Sequence, residues 1–295
     1  MNELESLKIG KILKQVDLSK YTTYKIKETA DFLAIPDDLD SFLELLRFIK
    51  QKKIKYKIIG GGSNLIFHGN YHGVLIKLEN LNHCRINGTK VIVGAGYPLI
   101  KLATKVSKMG LTGMEFATGI PGTVGGAVFN NAGAYKSDMG YIVKEIKVLT
   151  NENKIIVLKN NQLDFHYRTS FLKEHPEYIC LEATIQLKKG NKEEMLEIIK
   201  DRKKRRIESQ PLDYPSAGSV FRNPKDLYAG KLIEDIGYKG KMIGGAKVSE
   251  KHANFIINYN EASSDDIINL IKEIKEKIKE EYNIDLILEQ EIVEG

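Results

Sequence analysis

Two glycine-rich stretches, an arginine among aromatics and an isolated serine are the residues whose types and spacing could do chemistry. In IIGGGSNL, Gly60, Gly61 and Gly62 follow an apolar run and precede Ser63, Asn64 and Leu65. Consecutive glycines let backbone N–H groups converge in one concavity, which holds phosphate oxygens without side chains. In TGIPGTVGGAVFNNAGA, Gly119, Gly122, Gly125 and Gly126 crowd around Ile120 and Pro121. Each glycine costs roughly 0.5–1 kcal/mol relative to alanine in regular structure, and close approach of a ligand to the backbone offsets that cost. Neither stretch follows G-x-G-x-x-G or carries the Walker lysine, so an ordinary turn stays open for each alone. Taken together they suggest one extended ligand lying across both, such as a dinucleotide with a pyrophosphate centre.

The polar candidates divide into grips and donors. DFHYRTSF places Tyr167 and Arg168 in a short strand-like stretch, and the forked guanidinium can hold a carboxylate by two parallel hydrogen bonds. A structural ion pair is the competing reading. LILEQEIV offers Glu289 and Glu291, which share a face if the segment is a strand. In YPSAGSVFRNP, Ser219 lacks the G-x-S-x-G pattern of a strained nucleophile and has no evident His–Asp partner motif. A donor role for its hydroxyl remains, beside the reading as a plain turn. His68 and His72 are four apart but sit in a Gly/Asn loop with nothing to complete a metal site, so no metal is expected. His166 reads as structural or solvated.

The elements that must position these groups follow from pattern and punctuation. A polar leader precedes a strand over 24–36, and an amphipathic helix follows with Asp37 and Asp38 placed to cap it. Strands run into the three glycines and through GVLIKL, and Asn87-Gly88 predicts a two-residue hairpin turn. Pro98 opens a helix through Met109. Strands are expected over 141–150, 154–159 and 178–188, and a helix from Asn191 to about Ser209. A short helix ending near Gly237, a strand in HANFIINY, a helix over 264–282 and a strand over 283–293 complete the chain. Strands dominate the middle and helices the later part, which is an α+β arrangement. Boundaries fall near 70 and near 190.

Composition narrows the function classes. At 295 residues and net charge +6 the chain suits an anionic small molecule better than nucleic acid. The basic run from Arg202 to Arg206 lies within a helical pattern and reads as a solvated face. Cys84 and Cys180 form no framework or zinc spacing. No leader pattern and no bilayer-length apolar segment is evident, so a cytoplasmic protein without a membrane span is expected.

Six motifs occur here in one order: IIGGGSNL, GIPGTVGGAVFNNAGAY, HYRTSF, PSAGSVFRNP, GGAKVSEKHANFIIN and LEQEIV. In them the chain resembles the UDP-N-acetylenolpyruvoylglucosamine reductase (UDP-N-acetylmuramate dehydrogenase) family, in the branch without a tyrosine-bearing loop insertion. The resemblance runs from about Tyr21 to Glu294. Departures are KIKETA, with Lys27 and Glu28 where glycines are usual, Arg222 for the usual lysine, and Gln290 for the proline of L-E-P-E.

The resemblance implies an FAD-binding fold of the PCMH/vanillyl-alcohol-oxidase type in two subdomains, 1–70 (with 284–295 returning to it) and 71–190. A substrate-binding α+β domain over 191–295 would follow. It implies FAD held by Gly60, Gly61, Gly62, Ser63, Asn64 and Leu65 and by Gly119, Ile120, Pro121, Gly122, Gly125 and Gly126. NADPH would reduce the flavin, and flavin N5 would pass hydride to the enol-ether methylene of UDP-N-acetylglucosamine enolpyruvate, a step of peptidoglycan precursor synthesis. Arg168 and Glu291 match the pair that stabilises the resulting enolate, and Ser219 matches the proton donor to C2. Tyr167, Arg168, Asn223 and His252 match substrate-side positions. Another FAD-linked oxidoreductase, such as a sugar or alcohol oxidase, is the alternative that fold alone would permit.

Overall fold

The computed structural model describes Leu4 and residues 6–295. Residues 1–3 and 5, the head of the expected leader, lie outside the described residues. The remainder of that stretch differs from expectation, because Gly10–Asp17 is a strand. It stands at the edge of its sheet, where half the side chains meet water, and its lysines concealed it.

The chain divides into two units, each assembled from three pieces of sequence. The first comprises the chain up to Leu13, Phe32–Gly61 and Gly73–Lys204; the second comprises Lys14–Asp31, Gly62–His72 and Arg205–Gly295. In the first, a four-stranded sheet takes the order Gly10–Asp17, Thr29–Pro36, Tyr71–Lys77, Tyr56–Ile59. The helix Leu39–Gln51 buries Phe42, Leu45, Leu46 and Ile49 against Phe32, Ala34, Val74 and Ile76, the spacing of a single helical face. Asp38 caps it, accepting from Ser41 N at 2.8 Å. The strand expected over 24–36 begins only at Thr29.

A five-stranded antiparallel sheet fills the rest of the first unit, ordered Ile155–Lys159, Val143–Leu149, Ile179–Gln186, Lys90–Gly94, Cys84–Asn87. Helices Leu99–Lys108 and Val124–Phe129 pack Leu102, Val106 and Val128 onto Val91, Val93 and Ile185. The hairpin turn is shifted by one residue from expectation. Asn87 pairs with Lys90, so Gly88 and Thr89 turn the chain, and only Gly88 has positive φ (58°). Glycine at the first central position is the signature of the II′ turn, and the shift puts Val91 and Val93 on the buried face. The long glycine-rich segment also holds more structure than expected: the helix Val124–Phe129 and a hairpin, Gly133–Ala134 with Ser137–Asp138.

The second unit pairs Leu65–His68 in parallel with Glu291–Glu294 and adds an antiparallel sheet of Met242–Ile243, Ala246–Val248 and Ile256–Asn258. Helices Ala229–Asp235 and Ser264–Tyr282 cover these strands with Ile233, Ile267, Leu270, Ile271, Ile274 and Ile278. Ser263 and Asp266 form a reciprocal capping box on the longer helix. The last strand is shorter than expected, since residues 283–290 are irregular and Glu289 lies outside it. The alternation that would put Glu289 and Glu291 on one face therefore does not apply. The helix Lys192–Ser209 carries the basic run as expected, with Asn191 accepting from Glu193 N and Glu194 N. Five consecutive cations circle the helix at 100° steps, and only Met195 is buried.

His68 closes the parallel pair, with Nδ1 2.9 Å from Glu294 Oε2 and Nε2 3.1 Å from Asp265 Oδ1. The hydrogen bond to Glu294, then that to Asp265, raises its pKa above the ordinary histidine value. A raised folded pKa contributes stability that is complete below the unfolded value and disappears as pH rises through the folded one. The stability advantage of the protein over a His68→Gln variant should therefore be larger at about pH 5.5 than at about pH 8.5 in urea unfolding. An advantage independent of pH would mean that packing, and no ion pair, holds this strand.

Candidate active site

The two glycine stretches meet in the first unit, backbone against backbone. A Cβ on Gly61 would lie 2.8 Å from Gly122 Cα, and one on Gly60 would lie 2.8 Å from Thr123 Oγ1. Both approaches are closer than side chains tolerate, which accounts for the glycines. Among the described residues, the amides of Gly60, Gly61 and Gly122 meet no protein acceptor. Uncommitted N–H groups on two facing backbones suit an anionic ligand spanning both segments. Gly125 and Gly126 are placed differently. Gly125 N donates to Ala95 O at 2.8 Å, and Gly126 N donates to Thr123 Oγ1, the cap of the helix Val124–Phe129. Their amides are thus taken up by the fold.

The glycine loop continues into the second unit at Gly62, whose φ of +63° is one that side chains rarely adopt. A Cβ there would fall 2.0 Å from Tyr21 O, and Gly62 O accepts from Thr23 N at 3.2 Å. Thr23 Oγ1 is buried without a protein partner. A buried hydroxyl left unpaired costs about 1–3 kcal/mol, so beside this loop Thr23 is a candidate to contact a ligand. Sequence reasoning missed Thr23, because a threonine in a polar stretch carries no signal of its own. Asn64 is a brace: its Nδ2 donates to Glu289 O at 3.1 Å, and its carbonyl accepts from Glu291 N at 2.9 Å. Leu65 is buried in the parallel strand pair.

Arg168 occupies a tight turn where a strand-like stretch was expected. His166 and Thr169 exchange both main-chain hydrogen bonds, leaving Tyr167 and Arg168 as the two central residues. Arg168 has φ +59°, at the second central position, where glycine is the usual occupant. Its guanidinium stacks on the half-exposed Tyr167 ring, 5.0 Å from the centroid. Three side chains over-determine this strained turn. Buried Asn131 donates to His166 O at 2.7 Å and accepts from Gly140 N at 2.9 Å. Lys173 Nζ reaches both Arg168 O at 3.4 Å and Asn130 Oδ1 at 3.0 Å. Ser170 Oγ donates to Phe129 O at 2.7 Å. Asn130 and Asn131 directly follow the second glycine stretch, so one hydrogen-bond network joins that stretch to Arg168. His166 is exposed and faces Asp164 at 3.0 Å.

In the second unit Ser219 is half-buried in an irregular segment held on two sides. On one side buried Asn254 accepts from Val220 N with its main-chain carbonyl and from Phe221 N with Oδ1, and donates from Nδ2 to Phe221 O. On the other, Glu289 N donates to Val220 O and Arg222 N to Ile287 O, both at 2.8 Å. Gln290 Nε2 adds a bond to Gly218 O at 3.0 Å. Ser219, Glu289 to Glu291 and Asn64 thus share one framework, with Glu291 half-buried at the start of its strand. His252 Nδ1 accepts from Asn254 N at 3.2 Å, which leaves the proton on Nε2; burial lowers its pKa and favours this neutral form. Asn223 is exposed, and its Oδ1 accepts from Ala229 N at the start of the helix Ala229–Asp235.

Known proteins resemble the chain throughout. Residues 30–159 match the FAD binding domain family, and residues 210–293 match the family described as UDP-N-acetylenolpyruvoylglucosamine reductase, C-terminal domain. The UDP-N-acetylenolpyruvoylglucosamine reductase of Bacillus subtilis is 44% identical over 100% of this chain and 98% of its own length. That of Caldanaerobacter subterraneus is 46% identical over 98% and 96%. The crystal structure of UDP-N-acetylenolpyruvylglucosamine reductase from Thermus caldophilus superposes with a TM-score of 0.80 at 31% identity, covering 96% of this chain and 98% of that one.

The turn at Arg168 can be tested without reference to any relative. Relief of the positive φ should offset the lost ring contact in Arg168→Gly, each worth about 1 kcal/mol. Its thermal midpoint should stay within about 2 °C of the parent's or rise. A large drop would show that the guanidinium itself holds the fold.

Proposed function

The chain belongs to the UDP-N-acetylenolpyruvoylglucosamine reductase family, and from that premise we propose that it is an FAD-dependent reductase of the enolpyruvyl sugar nucleotide. Its reaction converts UDP-N-acetylglucosamine enolpyruvate to UDP-N-acetylmuramate at the expense of NADPH, for peptidoglycan precursor synthesis. The observation that carries this reading is 44% identity across the whole chain to a protein bearing that name. The facing glycine backbones, with amides at Gly60, Gly61 and Gly122 that the fold leaves uncommitted, fit the diphosphate of FAD. Within the second unit, Thr23, whose buried hydroxyl lacks a protein partner, and Gly62, which accepts from Thr23 N, are further candidates for ligand contact. FAD, when bound, supplies a two-electron carrier that accepts hydride from NADPH and gives it to the substrate double bond.

The protein's own residues then manage charge and proton. Hydride addition at the methylene carbon drives an electron pair toward the neighbouring carboxylate, which becomes enolate-like. Arg168 is assigned to this group, since a guanidinium fixed by its turn needs no reorganisation as charge develops. Glu291 is assigned to the same group; an ionised carboxylate would repel an enolate, so its contribution requires the protonated form, or runs through Arg168 or a water. Ser219 Oγ gives its proton to C2, completing addition of one hydride and one proton across the double bond. A hydroxyl is a feeble acid, yet a carbanion-like carbon is a strong enough base to take its proton. Tyr167, Asn223 and His252 are assigned to substrate binding, His252 as a neutral Nε2–H donor. No helix among the described residues is long and apolar enough to cross a membrane.

Two substitutions separate the parts. Gly61→Ala forces Gly61 off Gly122 and should sharply reduce FAD content, read from visible absorbance of the purified protein, at a stability cost of about 1–3 kcal/mol. Full flavin occupancy would remove the assigned diphosphate site. Ser219→Ala should allow anaerobic bleaching of the flavin by NADPH but slow its recovery on adding the enolpyruvyl nucleotide by roughly 10²–10⁴-fold. Equal loss in both half-reactions would assign Ser219 to binding or folding. A parent flavin that bleaches but ignores the nucleotide would favour an oxidase-type activity instead.

A further inference from the structure

Gln290 stands where the resembled pattern has proline, and the structure gives its side chain a definite task. It is 3% exposed, and both ends of its amide are used. Nε2 donates to Gly218 O at 3.0 Å, and Oε1 accepts from Tyr24 Oη at 3.2 Å, with Tyr24 itself fully buried. The neighbouring residues are tied through the main chain, Glu289 N to Val220 O and Glu291 N to Asn64 O. Gln290 is tied through its side chain, and it grips the carbonyl that shares a rigid peptide plane with Ser219 N. Gly218 needs such a grip. Its φ is +79°, and the space where a Cβ would stand is open to 4 Å, so packing does not hold it.

We infer that Gln290 is a positioning residue for the proton donor: it fixes the Gly218–Ser219 peptide plane and so aims the Ser219 hydroxyl. This rests on the reading of Ser219 given above. The competing explanation is that the amide merely satisfies buried polar atoms. A neutral amide suits the aiming role because it donates and accepts at once and brings no competing acid to the site.

The test uses FAD-loaded protein and three variants. In Gln290→Leu, anaerobic reduction by NADPH should stay within about twofold of the parent, while reoxidation by the enolpyruvyl nucleotide slows by roughly 10- to 100-fold. The solvent deuterium isotope effect on reoxidation should grow, because proton delivery has become limiting. Tyr24→Phe, which frees one end of the amide, should show a smaller change of the same kind. In Gln290→Glu, reoxidation should recover as pH falls, because a protonated carboxyl can again donate to Gly218 O. Hydrogen exchange read by mass spectrometry gives a measure free of turnover: amides across residues 217–219 should exchange faster in Gln290→Leu, with Phe221, held by Asn254, unchanged. Equal slowing of both half-reactions, an unchanged isotope effect or unchanged exchange would overturn the inference. Failure of the parent to react with the nucleotide would sink the functional reading and with it the aiming of a proton donor, whatever the exchange result.

Discussion

Two backbones touch at Gly61 and Gly122 with no side chain between them, and the first unit is organised around that contact. It demands glycine at 61, while Gly122 on the other side has a φ of +120° that side chains rarely adopt. Immediately after it, Thr123 caps the helix Val124–Phe129, while Val124 N and Gly125 N donate to Tyr97 O and Ala95 O. The helix is only six residues long, too short to persist without tertiary support, and these bonds supply it. Its end delivers Asn130 and Asn131 to the turn that carries Arg168. Hydrogen bonds from these two residues end on the main-chain carbonyls of His166 and, through Lys173, of Arg168.

The second unit solves a related problem by other means. The segments around Ser219 and Gln290 are irregular, and their main-chain groups cannot satisfy one another as a full ladder would. Carboxamides take over that work. Asn64 Nδ2 donates to Glu289 O, Asn254 brackets Phe221, Gln290 joins Tyr24 to Gly218, and Asn258 donates to Tyr24 O while accepting from Ala262 N. Each offers a donor and an acceptor on one planar group and carries no charge.

How much of this was legible beforehand follows from what each signal measures. Helices Leu39–Gln51 and Ser264–Tyr282 were plain, because a long apolar stripe and a capping aspartate or serine are local and additive. The edge strand Gly10–Asp17 was not, because an edge exposes half its side chains and reads as polar. The one-residue error at Gly88 arose because Asn-Gly favours one turn type, whereas burial of Val91 and Val93 selected another register. The glycine clusters announced themselves by composition, but composition could not separate Gly61, which meets Gly122, from Gly125, whose amide is spent on Ala95. Thr23 was invisible, since its interest lies in a partner it lacks within the protein. The strand drawn through 283–290 shrinks to a single antiparallel bridge between Phe221 and Leu288, flanked by main-chain bonds from Glu289 N to Val220 O and from Arg222 N to Ile287 O.

Arg168 and Ser219 sit at opposite extremes of backbone freedom, and the difference explains their surroundings. At 168 a long side chain occupies a position that glycine would fill more easily, so the fold bears strain in order to present a guanidinium there. Such strain persists only where neighbours leave the chain no alternative, and Asn131, Lys173 and the paired His166 and Thr169 do so from residues close in sequence or in the same network. At 218 the reverse holds. Glycine gives the segment latitude and no packing surface, and under the proposed function the residue that follows must point in one direction. Local interactions cannot supply that, because the φ of a glycine is soft. The restraint has to arrive from far away in sequence, and Gln290, 72 residues on, is where it arrives. A rigid arginine thus needs local clamps, and a serine on a flexible hinge needs one distant tether.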